Sequence, residues 1–298
     1  MLRGTAVVGE ALVDLVDGGD AHPGGSPLNV AVGLARLGEP AILHTRIGRD
    51  PHGDLIRTHL AASGVELGDA SLAEGETWTA TATVDDDGRA SYTFDLGGTI
   101  AVPPLQGLQL VHTGSIGALR AEEAEAVRAA FHDTDPGTLR SFDPNIRADV
   151  MGEGARERTG ALARECHVVK LSDEDALWLH PGEELREILP QLAARGVRFA
   201  VVTRGGDGCL ALVDGAWYER PARAVLVADT IGAGDAFMSG LLFALLRDGT
   251  DRLLVAGEPV PPALVEAALD TALASASITV SRSGANPPRS SELSAVLD

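Results

Sequence analysis

The residues with the clearest capacity for chemistry stand in one string, Asp229-Thr230-Ile231-Gly232-Ala233-Gly234-Asp235, and an apolar run over 236–246 follows it at once. The glycines predict a tight turn, and the run after them is long and apolar enough for a buried helix. A helix leaves its first backbone N–H groups without partners, so these groups and the helix dipole together attract an anion. A carboxylate at the mouth of an anion site makes sense as a base that takes a proton from a hydroxyl attacking phosphorus. We therefore predict that Asp235 is a catalytic base and that an anion hole is formed by the N–H groups of Gly232, Ala233 and Gly234.

The whole string is much rarer than G-A-G-D alone, which by itself is more simply explained as a capped helix behind a turn. Together with the small-residue helix after it, the string resembles the C-terminal signature of the ribokinase (PfkB) family of carbohydrate kinases. The stretch Gly24-Gly25-Ser26-Pro27-Leu28-Asn29-Val30-Ala31 is similar to the family's N-terminal motif, G-G-x-x-x-N-x-A, and the order and separation of the two motifs fit. The resemblance covers nearly the entire chain. It implies ATP-dependent phosphorylation of a sugar hydroxyl, with ATP, Mg²⁺ and a small-molecule sugar at the site.

The resemblance also implies a ribokinase-like fold, a three-layer α/β/α domain with a mostly parallel, doubly wound sheet and a small β-sheet lid. The chain's own pattern agrees, since predicted strands such as Thr5–Val8 and His167–Leu171 alternate with predicted helices, and no linker divides residues 1–298. Two alternating segments flank a predicted turn at 85–88, which is typical of a β-hairpin outside the main sheet. We expect the lid to be built from about 11–23 and 77–99. In many family members the lid also forms a dimer interface, so a homodimer through the lid is one expectation.

The resemblance assigns the acceptor site mainly to the first half of the chain. Asp14 follows the first strand, at the position of the family's aspartate that binds sugar hydroxyls. Gly25 lets the backbone approach a ligand closely, and Asn29 lies in the first turn of a predicted helix with Ser26 as its N-cap. Arg147 ends a D-x-N-x-R segment, which fructokinases share with 2-keto-3-deoxygluconate kinases. We expect Asp14, Gly25, Asn29 and Arg147 to bind the acceptor.

A second group of residues matches positions where family members bind the nucleotide and ions. The stretch 203–208 matches a T-x-G-x-x-G motif, 170–175 corresponds to a region that holds phosphate and water-bridged Mg²⁺, and 283–286 to a segment that passes the adenine. The predicted nucleotide-binding residues are Lys170, Ser172, Thr203, Gly205, Gly208 and Asn286. Asp175 is predicted to hold Mg²⁺ through water. Asp229 matches a position near a monovalent cation, K⁺, in the members that have one, although Pro288 replaces a residue that can ligate this ion.

The composition limits the kind of protein that this chain can be. Acidic residues number 43 and basic residues 24, so the formal charge of −19 argues against nucleic acid and anionic membrane surfaces as partners. No apolar run reaches the ~18–20 residues of a membrane span and no secretory segment is visible, so we expect a cytoplasmic protein. The two cysteines form neither a metal motif nor a disulfide framework. Lys170 is the only lysine and does not follow a glycine, so a Walker A loop is absent and phosphate needs another cradle.

The sequence leaves the acceptor open between several compounds. Fructose is the first expectation, because the segments 114–119, 143–147 and 170–175 resemble fructokinase-like members. 2-Keto-3-deoxygluconate is the second, and a nucleoside is the third. A sugar- or nucleotide-binding regulator without turnover is the alternative from another class, and the intact Asp235 argues against it. A dinucleotide-dependent oxidoreductase does not fit, because Gly9-Glu10-Ala11 replaces the G-x-G-x-x-G motif after the first strand.

Overall fold

The structure, a computed structural model, describes residues 4–16, 20–84 and 90–297. Its strands are β1 (Thr5–Val8), β2 (Leu12–Val16), β3 (Asp20–Gly24), β4 (Ala41–His44), β5 (Glu66–Leu67), β6 (Thr79–Val84), β7 (Ala90–Asp95), β8 (Leu110–Gly114), β9 (Leu139–Asp143), β10 (Val168–Ser172), β11 (Phe199–Thr203), β12 (Cys209–Val213) and β13 (Ala216–Arg220). Its helices are α1 (Ser26–Leu37), α2 (Pro51–Ser63), α3 (Ser115–Leu119), α4 (Ala121–His132), α5 (Ala148–Met151), α6 (Ala155–Ala163), α7 (Asp173–Leu179), α8 (Leu185–Ala193), α9 (Ala233–Arg247), α10 (Thr250–Ala256), α11 (Pro262–Val280) and α12 (Ser290–Leu297).

The main sheet has nine strands in the order β13-β12-β11-β10-β9-β8-β1-β4-β5. The strands from β11 to β5 in this order are parallel, whereas β12 and β13 join one edge as antiparallel neighbours. Strands that are covered on both faces consist of near-continuous apolar runs, and β1 is buried along its whole length. Because these strands run parallel, their carboxyl ends lie at one edge of the sheet, where open α/β folds bind ligands.

Helices cover both faces of this sheet and produce three layers. Because successive side chains of a strand point to opposite faces, Val7 packs with α1, α9 and α11, while Ala6 and Val8 pack with the helices on the other side. Phe237 of α9 fills the first layer, and Phe131 of α4 fills the second. The predicted three-layer arrangement is confirmed.

Small residues let α1, α9 and α11 pack unusually close to one another. A Cβ on Gly33 of α1 would lie 2.2 Å from the Oγ of Ser239 in α9. A Cβ on Gly240 of α9 would lie 2.8 Å from the Cβ of Ser275 in α11. Interiors at normal packing density leave no room for such atoms, so both glycines are required by the helix spacing. This spacing sets where the first turns of α1 and α9 lie.

A small sheet with the strand order β3-β2-β6-β7 forms from the two segments predicted for the lid. β2 pairs parallel with β6, and the other two pairings are antiparallel. On one face, Val13 is fully buried and Leu15 packs against the cluster that contains Ile56 of α2. At these positions the chain itself covers the apolar face of the small sheet. The predicted turn at 85–88 lies outside the described residues.

The sequence pattern predicts the element types better than their ends. β1 has the predicted limits, whereas β10 begins and ends one residue later than expected. Ser26 is not the N-cap of α1, because Gly25 occupies that position with a φ of 106° that favours glycine. The pattern does not predict α3, α5, α7, α8, α10 or α12, and Pro190 within α8 disguises that helix.

By length and composition, α11 could cross a membrane, because its 19 residues have a mean hydropathy of 1.4 in the most apolar window. The same window is 61% buried inside the protein, and α11 packs closely against α9. Core packing therefore accounts for the apolar composition of this helix.

Candidate active site

A cleft of about 1470 Å³ lies at the carboxyl edge of the main sheet. Residues directly after the ends of β8 and β10 line it, as do residues close after β1, β9 and β11, and one face of the small sheet contributes as well. Every predicted site residue except Asn286 lines this cleft. The structure thus brings together residues that are far apart in the chain, at the edge where the fold predicts a ligand.

Asp235 lies in the first turn of α9 and is held by two side chains from the first turn of α1. The Oγ of Ser26 donates to Asp235 Oδ1 at 2.6 Å, and the Nδ2 of Asn29 donates to Oδ2 at 2.8 Å. Asp235 is 9% exposed, so its position is fixed while one part still faces the cleft. Each oxygen retains acceptor capacity beyond its one bond, which a general base requires. Ser26 was not predicted as a site residue.

The turn before α9 presents backbone N–H groups to the cleft. Gly232 is the N-cap with a φ of 73°, and a Cβ there would lie 2.6 Å from the Cβ of Ala285. The N–H of Ala233 already points at the carbonyl of Thr230, at 3.3 Å. Within the described residues, the N–H groups of Gly232 and Gly234 have no acceptor. The predicted anion hole is therefore open chiefly at the two glycines.

One cross-strand row of the small sheet faces the cleft around Asp14. In this row Asp14 of β2 pairs with His22 of β3 and Ala80 of β6, and Ala80 pairs with Phe94 of β7. All four residues line the cleft. Burial raises the pKa of Asp14 to about 6, and the nearby His22 opposes that shift. Asp14 is thus a half-buried carboxyl group on the wall of the cleft, as the acceptor prediction requires.

Glycines at the start of α1 make room for these acidic groups. A Cβ on Gly24 would lie 2.0 Å from Asp14 Oδ2, and a Cβ on Gly25 would lie 2.7 Å from the backbone oxygen of Glu10. Gly25 therefore permits a close approach within the protein as well as toward a ligand.

Glu10 is a buried acidic residue of the cleft that the sequence analysis missed. It is 1% exposed, and its Oε2 accepts the N–H of Gly117 at 2.7 Å. Burial raises the pKa of Glu10 to about 7, against the opposing hydrogen bond from Gly117. Beside it, Ser115 and Asn145 adopt φ values of 54° and 37°, which are strained for residues with a side chain. The signal that could have identified Glu10 is a charged residue two positions after the end of the fully buried strand β1.

Arg147 is exposed and lines the cleft near this acidic group. Its guanidinium donates to the carbonyl of Ile146 at 2.9 Å, and it forms no salt bridge with a carboxylate of the described residues. Burial raises the pKa values of Glu10 and Asp14, and the positive charge of Arg147 partly offsets both rises, which places it within electrostatic reach of the predicted acceptor site.

The predicted nucleotide residues mostly gather beyond β10 and β11. Thr203 ends β11, and Gly205 and Gly208 form the turn after it. A Cβ on Gly208 would lie 2.0 Å from the backbone oxygen of Arg220, so the turn itself demands this glycine. Asn286 does not face the cleft, because its Oδ1 accepts a hydrogen bond from Arg36 at 2.6 Å. The neighbouring residues Ser283, Gly284 and Ala285 line the cleft in its place.

Asp175, the residue predicted to hold Mg²⁺ through water, also has a structural role. With Ser172 it forms a capping box, in which Ser172 Oγ accepts the N–H of Asp175 and Asp175 Oδ2 accepts the N–H of Ser172. Asp175 Oδ1 accepts the N–H of Ile146 at 2.8 Å. The described residues contain no group of three or more His, Cys, Asp or Glu side chains placed to hold a metal ion. A magnesium ion here would depend mainly on phosphate and water ligands, which is usual for this ion.

Lys170 is buried beneath the turn before α9. Its Nζ lies 2.8 Å from Asp143 Oδ2, and only 4% of the residue is exposed. Burial alone would lower the pKa of Lys170, but Asp143, Asp175 and Asp235 raise it above its ordinary value. The lysine therefore stays protonated at neutral pH.

Asp229 joins the turn before α9 to the segment after α11. Its Oδ1 accepts the N–H of Ile231 at 3.0 Å, and its Oδ2 accepts the N–H of Gly284 at 2.8 Å. The bond from Ile231 is the main reason why the pKa of Asp229 is lowered. This ionised carboxylate lines the cleft at the position predicted for a monovalent cation.

Comparison with known proteins identifies the family. The sequence profile described as pfkB family carbohydrate kinase matches residues 6–292. The chain belongs to this family. It is 34% identical over 273 residues to the fructokinase of Klebsiella pneumoniae, with 85% of this chain and 88% of that protein covered. The chain is therefore a carbohydrate kinase, which phosphorylates a sugar with ATP. The prediction made from the two motifs is confirmed.

Solved structures of similar proteins have the same fold. A double mutant of Vibrio cholerae fructokinase, bound to fructose, ADP and potassium, is 28% identical with a TM-score of 0.84, covering 100% of this chain and 99% of that chain. The fructokinase of Xylella fastidiosa with bound ATP has a TM-score of 0.86 at 24% identity, covering 100% of this chain and 98% of that one, and it supports the fold alone. The ribokinase-like fold is thereby confirmed.

Proposed function

We propose that this carbohydrate kinase transfers the γ-phosphoryl group of ATP to a hydroxyl of fructose. The observation that carries the proposal is the carboxylate of Asp235, held by Ser26 and Asn29 at the mouth of the α9 turn. Asp14 lines the same cleft and supplies an acceptor for sugar hydroxyls. The fructokinase names of the relatives support fructose as the sugar.

In the proposed reaction, Asp235 takes the proton of the acceptor hydroxyl while that oxygen forms a bond to the γ-phosphorus. The bond from the γ-phosphorus to the bridging oxygen breaks in line, and ADP leaves. The N–H groups of Gly232, Ala233 and Gly234 stabilise the equatorial oxygens, with the two glycines contributing most because their N–H groups are free. Asp14, Gly25 and Asn29 hold the other hydroxyls of the sugar.

The nucleotide is proposed to lie along Ser172, Thr203, Gly205 and Gly208, with Ser283–Ala285 on the opposite side of the cleft. When bound, Mg²⁺ neutralises charge on the β- and γ-phosphate oxygens, and Asp175 would reach it only through water. A potassium ion beside Asp229 is also proposed. The potassium in the Vibrio cholerae structure supports it, as does the lowered pKa of Asp229.

A sugar acid such as 2-keto-3-deoxygluconate is the second candidate acceptor, because the guanidinium of Arg147 lies on the cleft and suits a carboxylate. Two acidic groups weigh against it. Burial raises the pKa of Glu10 to about 7 and that of Asp14 to about 6, which shows that negative charge is costly in this part of the cleft. The carboxylate of an anionic substrate would add a further negative charge there.

A coupled assay of ADP release with a panel of acceptors tests the proposal. The panel contains fructose, 2-keto-3-deoxygluconate and a nucleoside, each measured with and without Mg²⁺ and K⁺. We expect the highest kcat/KM with fructose and no turnover without Mg²⁺. A higher kcat/KM with the sugar acid would replace fructose by that substrate while leaving the kinase assignment in place.

The cytoplasmic location and the homodimer through the small sheet stay predictions of the sequence. Light scattering during gel filtration measures the mass in solution, and a mass near the chain's 30.8 kDa would contradict the dimer.

A further inference from the structure

We propose that a second cavity, between α6 and α8, binds an elongated organic molecule with an anionic group at each end. The cavity has a volume of about 370 Å³ and shares no lining residue with the cleft described above. Its size falls within the range of roughly 300–1,000 Å³ that small-molecule sites occupy. The inference goes beyond the proposed phosphoryl transfer and does not depend on which sugar accepts the phosphate.

The cavity has an apolar floor that the chain leaves uncovered. Val169 and Leu171 of β10 and Leu192 of α8 form this floor, on the face of the main sheet that α4 also covers. Gly160 of α6 forms part of the wall, and a Cβ there would meet no heavy atom within 4 Å. Because protein interiors normally pack densely, this open space between two helices is suited to the apolar body of a ligand.

Two arginines with unused donors line the cavity at the ends of these helices. Arg164 is the C-cap of α6, and Arg195 follows the C-cap of α8. Among the residues that the structure describes, neither guanidinium has a hydrogen bond or an ion pair. A helix C-terminus favours a positive charge, and these guanidinium groups keep their donors for a carboxylate or phosphate, which they can bind in bidentate geometry.

A third arginine lies toward the other end of the cavity. Arg156 and Arg164 are separated by two steps of four residues, with Gly160 between them, so all three lie on one face of α6. At a rise of 1.5 Å per residue, the Cα atoms of the two arginines are about 12 Å apart. The acidic residue among the lining residues is Glu157, which is exposed. In a chain with a formal charge of −19, this basic cavity favours an elongated dianion.

Arg156 also connects this cavity to the cleft. Its Nε donates to the carbonyl of Trp178 at 3.0 Å, and its guanidinium carbon lies 4.6 Å from the centre of the Trp178 ring. Trp178 lines the cleft and belongs to α7, whose N-cap Ser172 is one of the proposed nucleotide residues. An anion bound to Arg156 competes for the donors that hold Trp178, so it should weaken ATP binding. This step rests on the proposed nucleotide site.

Three eight-carbon compounds test the class of ligand. Suberate has a carboxylate at each end, octanoate has one carboxylate, and 1,8-octanediol has none. Calorimetry on the full chain at constant ionic strength measures their affinities, since salt screens the attraction between exposed charges. We expect a Kd of roughly 1 mM or lower for suberate, about tenfold weaker binding of octanoate, and no measurable binding of the diol.

Variants of the lining residues test where suberate binds. Gly160→Leu fills the cavity and replaces glycine by a better helix former, so it should fold and lose suberate affinity at least about twentyfold. Gly160→Ala adds only a methyl group and should stay within about threefold of the wild type. Arg164→Gln with Arg195→Gln should lose about tenfold or more. The control Arg57→Gln, in α2 on the other face of the sheet, should lose less than about twofold.

The link to the cleft is measured as the Kd for ATP with and without saturating suberate. We expect suberate to weaken ATP binding at least about fivefold, and ATP to weaken suberate binding by the same factor. Arg156→Gln should abolish this effect. Equal binding of suberate to Gly160→Leu and the wild type, or of suberate and octanoate to the wild type, would refute the site. An unchanged Kd for ATP would refute the link through Trp178, whereas a wild type that binds no ATP would instead contradict the proposed function.

Discussion

Replacing Asp235 by Asn gives the sharpest test of the reaction. The change removes the negative charge and the proton acceptor but keeps the size and shape of the side chain. Ser26 and Asn29 hold the two carboxylate oxygens at 2.6 and 2.8 Å, so an amide can stay in nearly the same place. Loss of a negative charge from the first turn of α9 should cost only about 0.3–1 kcal/mol of stability. We therefore expect Asp235→Asn to fold.

The expected loss of rate follows from the role of the carboxylate. A positioned general base contributes roughly 10²–10⁴ in rate, or about 3–5 kcal/mol of activation free energy. We expect kcat to fall by that factor, while the Kd for ATP and the affinity for the sugar change by no more than a few-fold. Release of ADP in a coupled assay measures kcat, and calorimetry measures binding of each substrate.

Ser26→Ala is the matched control for this variant. It keeps the base but removes one hydrogen bond to it, worth about 1.5–3 kcal/mol for a charged partner. Its rate should lie between those of the wild type and Asp235→Asn. If Asp235→Asn retains more than about a tenth of the wild-type kcat, Asp235 is not the base and the mechanism fails.

Three further predictions follow from other parts of the protein. Asp14→Ala should raise the sugar KM about tenfold or more with little change for ATP, whereas Asn29→Ala should also lower kcat because it releases Asp235; an effect on ATP alone would contradict the assignment of the acceptor site. Arg147→Met should lower kcat/KM for fructose by no more than about tenfold, but a sugar-acid substrate would lose well over tenfold, on the order of 2–5 kcal/mol. Burial raises the pKa of Glu123, in α4, to about 7, because the folded protein favours the protonated carboxyl group. The free energy of unfolding therefore contains a stabilising contribution from this proton, which is fully present below the ordinary pKa of 4.5 and is lost as pH rises through 7. Glu123→Gln should therefore gain on the order of 1–3 kcal/mol over the wild type between pH 5 and 8, seen as a rising difference in Tm; the exposed Glu125→Gln is the control, and a constant difference in Tm across this pH range would count against burial as the cause.

The sequence predicts the architecture well, because that depends on local patterns. Buried parallel strands such as Phe199–Thr203 are apolar on both faces, and a helix such as Ala233–Arg247 begins at a glycine turn. Four of the helices that were not predicted, α3, α5, α7 and α10, have at most 7 residues, and the capping box of Ser172 and Asp175 is the local signal that could have revealed α7.

The side-chain partners in the site are harder to predict, because they join distant parts of the chain. Ser26 and Asp235 are 209 residues apart. The local sequence around Ser26 does not indicate whether its hydroxyl donates to this carboxylate or caps the helix. The spacing held one clue, since Ser26 and Asn29 are three residues apart and share one face of α1. For Asn286, the motif predicts the segment correctly, but Arg36 binds its side chain away from the cleft.

Core packing explains why the position of the base is so well defined. Gly33 lies four residues after Asn29 in α1, and Ser239 lies four residues after Asp235 in α9, so each pair is about one helical turn apart. Gly33 and Ser239 are the point where the two helices meet without space for a Cβ. One turn earlier, the same close approach brings Asn29 to 2.8 Å from Asp235. The proposed base is therefore placed by two buried helices, while the proposed acceptor contacts come mainly from the small sheet and the residues after the strands, with Asn29 of α1 common to both. If these roles hold, residues of the small sheet such as Asp14 can change without disturbing the helices that place Asp235.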